Sequence, residues 1–150
     1  MGRLRNLARK LLKREKSKPQ YTSPQYTPPK EIVPEEPEID LSNIECTAQE
    51  MLERIDTGEE LVIIDVREAP ELRSSGIITG AIHIPLRELS TRWEEVKDAN
   101  EVICYCAMGV RSYNAAMLLR GNGVFNATSM DGGMSEWKRV FGPITPWTDD

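Results

Sequence analysis

From about Ile39 onward, short apolar runs of strand length alternate with segments that have the residue spacing of helices. The run from Leu61 to Asp65 is continuously apolar up to its last residue, which is typical of a strand covered on both faces. A second such run extends from Val102 to Cys106. Because strands that alternate with helices form parallel sheets with helices on both faces, the pattern predicts an α/β layer structure.

Capping residues and glycines divide this part of the chain into elements. Thr47 and Glu50 form a capping box that predicts the start of a short helix, which Gly58 can end. Further helices are predicted over Glu68 to Ser75, Leu86 to Lys97 and Arg111 to Arg120, and after Gly132 and Gly133 to about Val140. The remaining strands are predicted at residues 81–84 and 124–130.

The N-terminal segment differs sharply in charge from the rest of the chain. Residues 1–18 hold eight Lys and Arg against one Glu, so they carry +7, while the whole chain carries −5. The spacing of Leu4, Leu7, Leu11 and Leu12 predicts a basic amphipathic helix. One interpretation is attachment to an anionic membrane surface or to an acidic partner; a solvated tail and an Arg-rich targeting peptide are the alternatives.

Residues 19–38 form a second compositional segment, which contains six of the ten prolines. No core can form from this composition, so we expect an extended linker without fixed structure. Docking of its PQYTSPQYTPP near-repeat in an aromatic groove is an alternative. The folded domain is then predicted over residues 39–145, with a short C-terminal tail at residues 146–150.

Composition excludes several classes of protein. No apolar stretch approaches the roughly 20 residues of a membrane span. Three cysteines and no apolar leader favour a reducing compartment, so we expect a cytoplasmic protein that could be peripheral to a membrane. One histidine and no Cys-x-x-Cys pair predict neither a structural zinc site nor any other metal or cofactor. Outside residues 1–18 the chain is acidic, which disfavours binding of nucleic acid.

Cys106 is the residue most indicative of chemistry, because it ends a predicted buried strand and precedes a loop and a helix. Ligands of open α/β sheets bind at this edge. Backbone N–H groups of the loop can converge on the sulfur, and Arg111 adds a positive charge. We therefore expect a thiol that is anionic, reachable and nucleophilic. The candidate site is Cys106 with its loop residues Ala107, Met108, Gly109, Val110, Arg111 and Ser112.

Four segments together resemble the signatures of the rhodanese family, the sulfurtransferases, over about residues 42–142. In chain order these segments are Leu61 to Glu68, Gly76 to Leu86, Cys104 to Ser112, and Asp131 to Trp137. The resemblance implies a three-layer fold with a central, mostly parallel five-stranded sheet flanked by helices. It also implies that Cys106 takes sulfane sulfur from thiosulfate or another small donor as a persulfide and passes it to a thiol, cyanide or a protein acceptor.

Two alternative functions remain. Cell-cycle phosphatases and arsenate reductases share the fold but use a Cys-x5-Arg loop, whereas Arg111 follows Cys106 with four residues between them. The smaller loop favours a sulfur atom over a phosphate group. A non-catalytic binding module, tethered by the basic tail, is the second alternative; the presence of Cys106 and Arg111 argues against it.

Other polar and sulfur-containing residues are predicted to have structural roles. Asp65 and Arg67 are expected to tie the loops together by hydrogen bonds, and Cys46 and Cys104 to be packed thiols. The loop side chains of Ala107, Met108 and Val110 are uncharged, whereas the two-domain thiosulfate enzymes carry basic residues there. A polysulfide, a persulfide or a protein is therefore an alternative donor.

Overall fold

A computed structural model describes residues 19–32 and 38–149 of the 150-residue chain. The predicted basic helix at residues 1–18 lies outside the described residues. Residues 19–32 contain no helix or strand, and every side chain among them is exposed. They belong to a separate unit from the one that begins at Glu36.

The predicted helices and strands occur in residues 38–149 in the predicted order, together with three further short strands. The strands are β1 (Glu45–Cys46), β2 (Val62–Asp65), β3 (Ile77–Ile78), β4 (Ile82–His83), β5 (Val102–Tyr105), β6 (Ala127–Met130) and β7 (Ile144–Thr145). The α-helices are α1 (Ala48–Asp56), α2 (Ala69–Ser75), α3 (Leu86–Arg92), α4 (Val110–Gly121) and α5 (Gly133–Arg139), with a 3₁₀ turn at Trp93–Val96.

Five of the strands form one central sheet. Their spatial order is β1-β6-β5-β2-β4, and each neighbouring pair is parallel. This confirms the predicted α/β fold with a mostly parallel five-stranded sheet. The strands β3 and β7 pair antiparallel in a separate two-stranded sheet, which the sequence did not predict.

Alternate residues of the central strands pack into two different clusters, so the sheet separates two helical layers. On one face, Ile63, Ile103 and Tyr105 pack with residues of α1, α2 and α5, namely Met51, Leu72 and Trp137. On the other face, Ile64, Cys104 and Cys106 pack with residues of α3 and α4, namely Leu89, Ala115 and Leu119. The result is the three-layer arrangement predicted from the resemblance.

Two helices begin with the same capping device. At α1, the Thr47 hydroxyl accepts from the Glu50 N–H at 3.1 Å, and the Glu50 carboxylate accepts from the Thr47 N–H at 2.7 Å, as predicted. At α2, the Glu71 carboxylate accepts from the Glu68 N–H at 2.9 Å. Such reciprocal bonds satisfy N–H groups that have no partner within the helix. The second box also fixes the position of Glu71, which becomes important at the candidate site.

Several boundaries differ from the sequence prediction. The last central strand begins at Ala127 and not at Val124, because the chain first turns back on α4: the Val124 N–H donates to the Leu119 carbonyl at 2.9 Å and its side chain is buried. The helix predicted over Leu86 to Lys97 divides into α3 and the 3₁₀ turn. The two-residue strand β1 was not predicted.

Residues beyond 145 contact the domain. The Trp147 ring packs edge-on against the His83 ring, with centroids 5.3 Å apart, and Asp149 pairs with Arg73 at 2.7 Å. Both residues belong to the segment for which the sequence predicts a C-terminal tail. In the part of the chain that the structure describes, no helix has the length and apolar character needed to cross a membrane.

Candidate active site

Cys106 follows β5 directly, at the carboxyl edge of the central sheet. The chain then bends through Ala107 and Met108 into α4, whose N-cap is Gly109. Gly109 has a φ of 106°, a backbone conformation that residues with a Cβ rarely adopt. Glycine at this position therefore permits the tight bend. The fold therefore places a cysteine between the end of a strand and the start of a helix, as the sequence predicts.

The sulfur of Cys106 lies within a small group of hydrogen-bonding atoms. The Gly109 N–H donates to Sγ at 3.1 Å, and the Ser112 hydroxyl oxygen lies 3.5 Å from it. The Ser112 hydroxyl also donates to the Gly109 carbonyl at 3.1 Å and lies 2.8 Å from the Ser129 hydroxyl on β6. The loop thus directs an amide toward the sulfur, and two buried hydroxyls extend the network behind it.

The three cysteines differ in acidity. Burial raises the pKa of the Cys46 thiol to about 11 and that of Cys104 to about 12. Burial acts in the same direction on Cys106, but hydrogen bonds from the Ser112 hydroxyl and from the backbone at Ser112, Gly109 and Met108 outweigh it and lower the pKa of that thiol. Among the cysteines, all of which are described, Cys106 alone has a lowered pKa.

The Cys106 sulfur is buried, whereas the sequence predicts a thiol that is reachable from solvent. Cys106 is 1 % exposed, because its side chain points under the bend of its own loop, toward the Gly109 amide. The exposed part of the loop consists of Met108 and Val110, which are 67 % and 72 % exposed. A molecule that approaches the loop from solvent therefore meets these apolar side chains before it meets the sulfur.

The start of α5 packs against the loop and donates two hydrogen bonds to it. The Met134 N–H donates to the Cys106 carbonyl at 2.8 Å, and the Ser135 N–H donates to the Ala107 carbonyl at 3.2 Å. Gly133 lies so close that an added Cβ would be 2.3 Å from the Cys106 carbonyl oxygen. The segment from Asp131 to Trp137 is thus a wall of the site, and its glycines allow the contact.

The Arg111 guanidinium forms its hydrogen bonds with Glu71 and not with the Cys106 sulfur. Its two terminal nitrogens donate to the two carboxylate oxygens of Glu71, each at 2.8 Å. Hydrogen bonds from Arg111 lower the pKa of Glu71 to about 2, and hydrogen bonds to Glu71 raise the pKa of Arg111. Arg111 still interacts with Cys106 through its charge, but the hydrogen bonds of the loop and of Ser112 are what lower the pKa of the Cys106 thiol.

Asp65 and Arg67 form a buried ion pair beside the site. The Arg67 guanidinium donates to Asp65 at 2.7 Å, to the Ser75 hydroxyl at 2.7 Å and to the Gly76 carbonyl at 2.8 Å. One ring nitrogen of His83 lies 2.7 Å from the Arg67 carbonyl. These bonds join the ends of β2 and β4 to the end of α2, and none of them involves the Cys106 sulfur.

A cavity of about 600 Å³ opens next to the loop. Ala107 and Met108 form its side toward the sulfur. Arg67 lines it from the segment that follows β2, Glu71 and Ser75 line it from α2, and Lys138 lines it from α5. The cavity leaves room for a small molecule beside the loop that covers Cys106.

Sequence reasoning missed two polar residues of the site. Glu71 had a detectable signal, since it stands three residues after Glu68 as a capping residue does, but nothing in its spacing pointed to Arg111. Ser129 had no local signal, because its contact with Ser112 is made between a strand and a helix.

The model of the rhodanese-like domain family matches residues 47–140. The chain belongs to this family. A sulfurtransferase of Allochromatium vinosum is 28% identical over 100 residues, which cover 67% of this chain and 92% of the relative. A putative sulfurtransferase of Bacillus subtilis, YtwF, is 33% identical over 94 residues, covering 63% and 89%.

Solved structures give the same rhodanese-like assignment. The rhodanese-like domain of the Anabaena Alr3790 protein superposes with a TM-score of 0.62 at 26% identity, covering 71% of this chain and 87% of that one. The rhodanese-related protein of Thermoplasma volcanium has a TM-score of 0.60 at 27% identity, covering 69% and 98%. The rhodanese-like domain therefore accounts for the three-layer part of the chain.

Proposed function

We propose that this rhodanese-like domain is a sulfurtransferase in which Cys106 carries the transferred sulfur as a persulfide. One observation carries the proposal: a buried thiol at the end of a central strand has a lowered pKa, because its hydrogen bonds with the backbone amides of its own loop and with the Ser112 hydroxyl outweigh the effect of burial. A lowered thiol pKa is the property that a nucleophilic cysteine needs near neutral pH. Two relatives with sulfurtransferase in their names support the same activity.

The reaction has two displacement steps. The Cys106 thiolate attacks the outer sulfur of a donor; a sulfur–sulfur bond forms to Cys106, the bond to the donor's remaining group breaks, and that group leaves with the electron pair. A thiolate, cyanide or a protein thiol then attacks the terminal sulfur and restores the Cys106 thiolate. The Gly109 amide and the Ser112 hydroxyl stabilise the negative charge that returns to the sulfur in each cycle.

The position of Arg111 argues against the phosphatase alternative. A phosphatase loop requires its arginine to bind the phosphate that the loop encloses, whereas the Arg111 guanidinium is held by both oxygens of Glu71. The acidity of Cys106 argues against a purely non-catalytic module, because a binding module has no need of a stabilised thiolate.

Intact-mass spectrometry tests the proposed function. The full chain is incubated with thiosulfate, an organic persulfide and inorganic polysulfide, and we expect the mass of one added sulfur atom, removed again by cyanide as thiocyanate. The adduct should disappear in Cys106→Ser and persist in Cys104→Ser, whose thiol is buried and has a pKa raised to about 12. Absence of the adduct with every donor would support the non-catalytic module, and turnover of a phosphate ester would support the phosphatase.

A further inference from the structure

Two arginines near the catalytic loop have their charges already engaged. Arg111 binds Glu71 through two hydrogen bonds of 2.8 Å, and Arg67 binds the fully buried Asp65 at 2.7 Å. Lys138 also lines the cavity, but its side chain is exposed, where water and salt screen its charge. Glu71 lines the cavity and Arg111 does not, so a doubly charged donor there must displace the Glu71 carboxylate to reach the Arg111 guanidinium.

Glu71 is held firmly in that competing position. Its carboxylate accepts two bonds from Arg111 and one from the Glu68 N–H at 2.9 Å, which belongs to the capping box of α2. The pKa of Glu71 is lowered to about 2, chiefly by the bonds from Arg111, so the group is ionised at neutral pH. Glu71 thus places a permanent negative charge on the wall of the cavity that a donor enters.

The loop side of the same cavity is uncharged. Ala107 and Met108 line it, and Met108 and Val110 are 67 % and 72 % exposed at the surface of the loop. Apolar side chains at this position favour a donor that presents carbon to them, and they offer no compensating hydrogen bond to the oxygens of an oxyanion.

Resting on the proposed sulfurtransferase function, we propose that Glu71 determines the class of sulfur donor by keeping Arg111 occupied. It disfavours thiosulfate, which carries two charges, and selects sulfane-sulfur donors that carry an organic group and at most one negative charge. Organic persulfides and thiosulfonates belong to this class. Glu71 is a specificity-determining residue in this role, and it takes no part in the displacement itself.

A matched pair of donors isolates this effect. Methanethiosulfonate differs from thiosulfate by a methyl group in place of one charged oxygen, and both transfer their outer sulfur to a thiolate. In one case Cys106 gains the sulfur and methanesulfinate leaves with the electron pair; in the other, sulfite leaves. Each reaction forms one sulfur–sulfur bond and breaks one, so the comparison measures how the site treats the second negative charge.

The test is the second-order rate constant for persulfide formation with each donor, measured by quenched-flow intact mass. Wild type should prefer methanethiosulfonate. Glu71→Gln should raise the thiosulfate constant by about tenfold, which equals about 1.4 kcal/mol, while changing the methanethiosulfonate constant by less than about threefold. Glutamine can still accept the Glu68 N–H bond, so α2 keeps its cap.

Two further variants show whether the gain comes from Arg111. Glu68→Gln removes the same charge at the start of the same helix without touching Arg111, since Glu68 pairs with the exposed Arg87, and it should leave the donor ratio unchanged. In the double variant with Glu71→Gln and Arg111→Gln, the gain for thiosulfate should vanish. Glu71→Ala serves as a second single variant if thermal melting shows that Glu71→Gln is unfolded.

The outcomes separate this inference from the proposed function. An unchanged donor ratio in both Glu71 variants, with Cys106 still persulfidated, would overturn the role of Glu71 and leave the sulfurtransferase standing. An equal gain in Glu68→Gln would also overturn it, because the effect would then be one of overall charge. Failure of every donor to modify wild-type Cys106 would refute the proposed function and this inference together.

Discussion

At the scale of single residues, hydrogen bonding gives different acidities to two thiols that are equally buried. Cys104 and Cys106 lie two positions apart, in the same buried cluster, and are 0 % and 1 % exposed. Burial by itself would raise the pKa of both thiols. The pKa of Cys106 is nevertheless lowered, because its loop supplies hydrogen-bond donors that Cys104 lacks. The more acidic thiol is therefore determined by the bend that follows it and not by its exposure.

The pH dependence of alkylation tests this difference. The rate of reaction with iodoacetamide follows the thiolate fraction, so it rises with pH and levels off above the pKa. For Cys106 in wild type we expect a midpoint below the ordinary value of 9.0. Cys104→Ser should leave this midpoint unchanged. A midpoint at or above 9.0 would contradict the lowered pKa.

Ser129 provides a sharper test within the same experiment. The Ser112 hydroxyl has one proton, which it can donate either to the Gly109 carbonyl or to the sulfur. The Ser129 hydroxyl, 2.8 Å away, can donate to Ser112 and so polarise the proton that Ser112 gives to the thiolate. Ser129→Ala should move the alkylation midpoint of Cys106 upward, and Ser112→Ala should move it further. An unchanged midpoint in both variants would mean that the Gly109 amide alone sets the acidity.

At the scale of elements, the site depends on the close approach of α5 to the loop after β5. Two backbone N–H groups of α5 donate to the carbonyls of Cys106 and Ala107. The approach is possible because position 133 has no side chain, and φ of Gly133 is 54°. A helix start that carried a Cβ here would push the loop away and alter the direction of its amides.

Gly133→Ala tests this packing. The new Cβ would lie 2.3 Å from the Cys106 carbonyl oxygen, so we expect a loss of stability of about 2–4 kcal/mol from overpacking and backbone strain. Persulfide formation should fall by more than about tenfold, a change of at least about 1.4 kcal/mol. Urea denaturation and intact mass measure the two effects.

Gly123→Ala is the matched control for this variant. Gly123 also has a positive φ, 93°, but an added Cβ would meet nothing within 4 Å. Its substitution therefore shows the cost of backbone conformation alone, about 1 kcal/mol, with persulfide formation unchanged. Equal behaviour of the two variants would show that the contact between α5 and the loop is unimportant.

At the scale of the whole molecule, the ion pair between Glu71 and Arg111 joins the two helical layers. Glu71 lies on α2, which packs on the face of the sheet that holds Tyr105, whereas Arg111 lies on α4, on the opposite face. Their side chains meet across the carboxyl edge of the sheet, with side-chain exposures of 35 % and 36 %. The pair thus contributes to the assembly of the layers as well as to the charge of the cavity.

Acid sensitivity of folding tests that contribution. Because the pKa of Glu71 is lowered from 4.5 to about 2 in the fold, its stabilising effect is complete above pH 4.5 and is lost as the pH falls toward 2. Wild type should therefore exceed Glu71→Gln in stability at neutral pH, by about 1 kcal/mol or less since the pair is partly exposed. The difference should shrink on acidification. A difference in unfolding free energy that stays constant or grows between pH 7 and pH 3 would contradict this role.

Most of the architecture could be predicted from local patterns. The apolar runs of β2 and β5, the capping box of α1 and the glycine bend after Cys106 each act within a few residues, so the sequence displays them. The strands β1, β3 and β7 have two residues each and were not predicted, whereas the equally short β4 was, because it lies in the short run from Ala81 to Ile84 that Pro85 ends. Val124 was predicted to lie in the last central strand. In the structure its side chain is buried and its N–H donates to the Leu119 carbonyl, at the end of α4.

The sequence by itself determined which sulfur stands at the end of a buried strand, because strand length, apolar character and the glycine that follows are local properties. The tertiary structure alone decided what surrounds that sulfur. Ser112 meets Ser129 across 17 residues and Arg111 meets Glu71 across 40, since a parallel sheet brings together the ends of strands that are distant along the chain. The periodicity of the sequence gives no sign of such contacts, although they set the hydrogen bonding and the charge around the Cys106 loop.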